Sequence, residues 1–174
     1  MTYNLHPIFV HFPIALLFLY SLVKIIPLQK WIPKVNWKDT ERVLLVVGFL
    51  GAFLALATGE TAEHLVHPDH QLVEMHSTFA SLATFLYGLL LAGKIAFVLN
   101  HSEKVKSFFT TYPIVQKILS FIEKFLNHRK FTIFLALIAL ITIIIAGLLG
   151  GAIVYGTTAD PLAKIILPLL GINL

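Results

Sequence analysis

The chain has 174 residues, 57% of them hydrophobic and 13% charged, with a mean hydropathy of +0.85 and a formal charge of +4. That length is one domain by the usual prior, and such hydropathy lies far above a soluble average, so the chain belongs in a membrane and, lacking a solvated basic face, is not expected to bind nucleic acid. The absence of cysteine excludes thiolate-bound iron–sulfur clusters, c-type haem attachment and any disulfide framework.

The opening MTYNLHPIFVHFPIALL carries two histidines where a secretory signal would carry lysine or arginine, so it reads as mature structure. A bilayer core of about 30 Å requires about 20 apolar residues of helix. The first such segment runs over about 7–26. The second, about 43–60, is short on its uncharged residues alone and is expected to extend to Glu60 or beyond. It carries Gly48, Ala52, Ala55 and Gly59, small residues suited to close helix approach. The third spans about 75–99. A long loop follows, in which Ile114, Ile118, Ile122 and Phe125 recur near helical period while Lys117 and Lys124 take another face. That pattern predicts a helix over 113–127 lying in the interface. The fourth span, about 131–157, crowds Gly147, Gly150, Gly151 and Gly156 toward its end. These glycines pack helices or make room for a flat prosthetic group. In the tail, 160–174, Asp160 stands as an N-cap and Pro161 at the first helical position of an element too short to span. The expected fold is all-α: a polytopic, up-down four-helix transmembrane bundle forming a single domain over 1–174, with an interfacial amphipathic helix.

Twelve of the thirteen basic residues fall in the first and third loops, whereas the second loop carries Glu60, Glu63, Asp69 and Glu74 with no basic residue. The positive-inside rule makes loops one and three cytoplasmic and both termini extracytoplasmic.

Six of the eight histidines, His6, His11, His64, His67, His70 and His76, then map to the outer side. Ionisable groups within a span are costly and by default mark function. His11 lies about a turn into the first helix, and an antiparallel hairpin brings Glu60 to His64 level with His76. Ala80 and Ala83 follow His76 at i+4 and i+7, a shallow face against which a ring can pack. Two neutral imidazoles from facing helices with an apolar slot are what a b-type haem requires. The axial candidates are His11 and His76, with His64 as substitute for either and Glu60 or Glu63 orienting an imidazole. His6 precedes Pro7 and lies about 140° round the helix from His11, so it is not expected to share that face. A different set, Glu60, Glu63, His64, His67 and His76, offers mixed nitrogen and oxygen ligands to zinc, copper or non-haem iron, although Pro68 biases His67 away from helical geometry. A histidine and a carboxylate relaying protons from a quinol is a third possibility, and a polar lid with no cofactor is the structural one.

The motif LHPIFVHFPIALL, together with ATGETAEHLV at the end of the second helix and His76 in VEMHSTFASLA, resembles a family of bacterial membrane proteins classed as a domain of unknown function. That family is recognised by a His-Pro-x-x-Val-His-Phe-Pro-Ile-Ala opening. The likeness covers most of the chain apart from the long third loop and the tail, and it implies a four-helix inner-membrane fold. Many relatives carry an acidic residue after the third-helix histidine, where this chain has Ser77.

The reading that combines these features is a membrane redox component binding one haem b near the outer surface, with a quinol or cytochrome partner. The alternatives are a divalent-metal binding or transport protein, or a structural subunit of a homo-oligomer or larger membrane complex. No phosphate-binding glycine loop, nucleophile with a base, or dinucleotide fingerprint is present, so no stand-alone enzyme is expected.

Overall fold

A computed structural model describes residues 6–66, 69–158 and 160–172, except the side chains of residues 60 and 64–66. Seven α-helices are present among them: α1 (His6–Ile25), α2 (Trp37–Val66), α3 (His70–Asn100), α4 (Lys106–Thr111), α5 (Pro113–Leu126), α6 (Arg129–Tyr155) and α7 (Ala163–Leu169). Four of them, α1, α2, α3 and α6, contain stretches long and apolar enough to cross a membrane.

These four form an up-down bundle in which α1 packs on α2 and α6, and α3 packs on the same two helices from the opposite corner. α1 and α3 are therefore diagonal and run in the same direction. They meet in the middle of the bundle, where the Tyr87 hydroxyl lies 2.8 Å from Ser21 Oγ and donates to the Leu17 carbonyl at 3.1 Å. Tyr20 packs edge-on against Tyr87, and both rings are fully buried. Alanines line the same core, Ala83 on α3 and Ala136 and Ala139 on α6, so these backbones approach closely. α6 is the most buried of the four spans. Large apolar side chains such as Ile8, Phe53, Phe85 and Phe134 face outward, as a lipid solvent permits.

Glycine sets the α1–α2 seam. A Cβ at Gly48 would lie 2.8 Å from the Leu17 side chain, one at Gly51 3.2 Å from Pro13, and one at Gly59 3.7 Å from the His6 ring. The order of these contacts shows the two helices antiparallel. By contrast, a Cβ at Gly147 or Gly151 would meet nothing within 4 Å, so neither of that small-xxx-small pair is needed for a close helix approach here.

Polar capping extends the helices beyond their apolar stretches. α3 starts at His70 because the Asp69 carboxylate accepts from Leu72 N–H at 3.1 Å. α2 begins at Trp37, its first turn held by Asn36. α6 stops at Gly156, whose φ of 87° lies in the left-handed region. The tail differs from its sequence reading. Asp160 does accept from Leu162 N–H at 2.8 Å, but that bond closes a turn, and α7 starts only at Ala163. A two-residue reach is the Asx-turn geometry that competes with a helix cap. Leu167 and Ile172 then pack with Leu72, Leu148 and Leu149, so the tail covers the ends of α3 and α6. Gln71 donates to the Gly171 carbonyl at 3.2 Å and fastens it there.

Candidate functional site at the histidine end

Two histidines turn inward at one end of the bundle: His6, the first residue of α1, and His76, in the second turn of α3. His6 turns toward α2, where Nδ1 lies 3.0 Å from Thr58 Oγ1 and the Ala55 carbonyl is a further partner. The Thr58 hydroxyl sits 3.2 Å from the Leu54 carbonyl and 3.0 Å from that of Ala55, to which it donates. Its oxygen accordingly accepts from His6, which assigns the imidazole proton to Nδ1. His76 turns toward α6 and donates Nδ1–H to the Ala146 carbonyl at 2.9 Å. A carbonyl only accepts, so the neutral ring keeps its lone pair on Nε2.

Each ring rests against a glycine. The ideal Cβ position of Gly59 is 3.7 Å from His6 Cε1, and that of Gly150 is 3.1 Å from His76 Cε1. Of the glycines crowded in α6, Gly150 is thus the one beneath an imidazole. Proline is tolerated in a first turn because its missing N–H would have no helical partner there, so Pro7 does not prevent His6 from opening α1.

His11 stands elsewhere. It donates Nδ1–H to the Pro7 carbonyl one turn earlier, at 2.5 Å, and is exposed beside Ile8 and Phe12. The angular separation read from the sequence is the reason: with His6 turned toward α2, His11 turns away from it. His6 and His76 thus turn to partners on α2 and α6, whereas His11 bonds back within its own helix.

Glu63 is exposed, and His70 is exposed near Glu74 at 4.0 Å. The side chains of Glu60 and His64, and His67 altogether, lie outside the described residues. Among the described residues, no group of three or more His, Cys, Asp or Glu side chains is placed to hold a metal ion.

The bundle defines a helical membrane protein with four helices long and apolar enough to span a bilayer. The chain belongs to the family described as predicted membrane protein, DUF2231, which matches residues 2–160. The match runs through the third loop, farther than the motifs alone indicate, and leaves only the tail outside. No curated protein and no solved structure matches the chain.

Proposed function

We propose that this protein is a membrane redox component that binds one b-type haem at the histidine end, where His76 and His6 would hold its iron. The observation that carries this reading is that imidazoles from two diagonal helices turn inward at one end of the bundle, with the His76 ring held through Nδ1 by a backbone carbonyl and a glycine against each ring. Nδ1 donation to a carbonyl is the outer-shell arrangement that fixes the tautomer and orientation of a ligating histidine. His6 replaces His11 in this assignment, and His64 remains a substitute ligand. Thr58 and Ala146 orient the rings, and Gly59 and Gly150 keep side-chain volume away from them.

Bound haem supplies one-electron iron chemistry. The protein supplies ligation, a largely apolar surround and a position near one membrane face, from which electrons pass between a quinol or cytochrome partner and an acceptor on that side. In this reading the chain sits in a bacterial inner membrane with both termini and the histidine end extracytoplasmic, as the lysine distribution favours.

The test is an optical spectrum of the detergent-purified chain, expressed with haem available, air-oxidised and then dithionite-reduced, with elemental analysis on the same sample. The expected result is a Soret band that shifts on reduction and iron near one per chain. His76→Ala and His6→Ala each abolish it, and His11→Ala leaves it intact. A colourless wild-type protein without iron after haem reconstitution, or a full spectrum in both His76→Ala and His6→Ala, overturns the proposal. Stoichiometric zinc or copper in place of iron moves the assignment to Glu60, Glu63, His64, His67 and His76.

A further inference from the structure

The lysine-rich end of the bundle carries a surface that the haem reading does not use. α5 is anchored along one side: Leu126 is buried so closely against α3 that a Cβ on Gly93 would fall 2.8 Å from Leu126 Cβ, and Asn127 donates to the Gly93 carbonyl at 2.7 Å. On a neighbouring face of the helix, Ile114, Ile118, Phe121 and Phe125 form a stripe at i, i+4, i+7 and i+11, all more than half exposed. Phe121 and Phe125 stack with nearly parallel rings, and Phe125 contacts Phe131 in the first turn of α6 with 4.4 Å between centroids. Phe134, one turn on, is 58% exposed on the span itself. The stripe is therefore continuous with the outward apolar surface of a helix that crosses the membrane. Lys117 and Lys124, both exposed, lie a turn-pair apart along the edge of the stripe away from the bundle. Lys124 also lines an open cleft of about 380 Å³ with Ser120, Asn127 and His128. Glu123, in the same wall, is occupied by Asn100 at 2.6 Å.

We propose that this face of α5 lies on the membrane leaflet at the lysine-rich end and holds anionic phospholipid there. The stripe enters the headgroup–acyl boundary, and Lys117 and Lys124 reach the phosphates of negatively charged lipids. Continuity with the lipid-facing surface of α6 selects a bilayer over a soluble occupant. Two cations at the stripe's edge select an anionic headgroup over a zwitterionic one. The surface is independent of the histidine site.

Because the chain has no cysteine, single labels can be placed without background. The full-length protein carrying Phe121→Cys, or Gln116→Cys on the polar face, is spin-labelled and inserted into nanodiscs of phosphatidylglycerol or phosphatidylcholine. Collisions with lipid-soluble oxygen and with an aqueous nickel chelate are then compared. The label at 121 is expected to favour oxygen, the label at 116 the chelate. Lys117→Gln with Lys124→Gln is expected to weaken the phosphatidylglycerol-dependent burial by roughly fivefold per lysine. Equal chelate access at 121 and 116 in phosphatidylglycerol overturns the docking. Identical depth at 121 in the two lipids overturns the anionic preference. Dipolar broadening between labels in nanodiscs holding two copies assigns the face to a second chain and overturns the lipid occupant.

Discussion

At the lysine-rich end, three helices bring opposite charges together: Glu41 of α2 accepts from Lys24 of α1 at 2.9 Å and lies 3.7 Å from Lys94 of α3. At the histidine end, the polar partners of the two inward rings include uncharged groups: His6 bonds the Thr58 hydroxyl and His76 a backbone carbonyl. The difference separates charge used for cohesion from polarity held in reserve. A cation matched to an anion has its electrostatic demand met where it stands. An imidazole fixed through Nδ1 by a neutral acceptor is oriented but keeps ligating capacity on Nε2.

The largest effect on cohesion is expected at Glu41. Glu41→Gln leaves two part-buried lysines facing each other without their anion, and breaking a buried pair costs about 3–5 kcal/mol. Lys24 and Lys94 reach partly toward the surface, which lowers the expected loss to about 2–3 kcal/mol. Unfolding in mixed detergent–denaturant micelles measures it. Asp39→Asn, which breaks the much more exposed pair with Arg42, serves as the control and is expected to change stability by under about 0.5 kcal/mol. Equal effects of the two variants would erase the cohesive role of the Glu41 cluster.

Next is Gly93→Ala, with an expected cost of about 1–3 kcal/mol from overpacking. The new methyl would lie 2.8 Å from Leu126 Cβ and 3.3 Å from Asn127 Oδ1, and a Cβ cannot swing aside as the tip of a long side chain can. α5 must shift as a unit. Faster proteolysis in the 106–127 segment, with the four spans still folded, is the expected signature. Tyr87→Phe follows, removing the hydroxyl that links α3 to Ser21 and the Leu17 carbonyl. Hydrogen bonds between helices in membranes average about 0.6 kcal/mol, and two shared bonds put the expected loss near 1 kcal/mol by the same unfolding assay.

Much of the fold is legible from composition because lipid demands long apolar helices, and α6 shows it most plainly with no charged residue between Lys130 and Asp160. Helix ends are less legible: hydropathy fades where capping begins, so Asp69 starts α3 in a stretch that apolar counting assigns to a loop. α4 is invisible to that counting for the same reason. The histidine end is legible as a place, but which of its rings turn inward is not. The helical angle between His6 and His11 follows from the sequence, whereas which of them points inward is decided by Pro13 seating against Gly51 and His6 against Gly59, contacts that exist only once α1 and α2 have met. Crowded glycines likewise suggest closeness without saying to what: a Cβ on Gly147 or Gly151 would meet open space, while one on Gly150 would meet a ring.

That last contrast supplies the test with the smallest expected effect on stability. Replacing a helical glycine by alanine in open space gains about 0.5–1 kcal/mol by restricting the unfolded chain. Gly147→Ala and Gly151→Ala are therefore expected to be neutral or slightly stabilising, since neither Cβ meets anything within 4 Å. At Gly150 the same methyl lies 3.1 Å from His76 Cε1 and 3.5 Å from its Nδ1, so the gain is offset by displacement of the ring. A few tenths of an ångström there strain the 2.9 Å bond to the Ala146 carbonyl, which is what holds the imidazole's orientation. Under the proposed haem ligation, Gly150→Ala is thus expected to leave the melting temperature within a few degrees of wild type while broadening or shifting the reduced haem spectrum. The other two variants keep both stability and spectrum. If all three behave alike, His76 is not positioned by this contact, and the histidine end falls back to the same cohesive role as the lysine end.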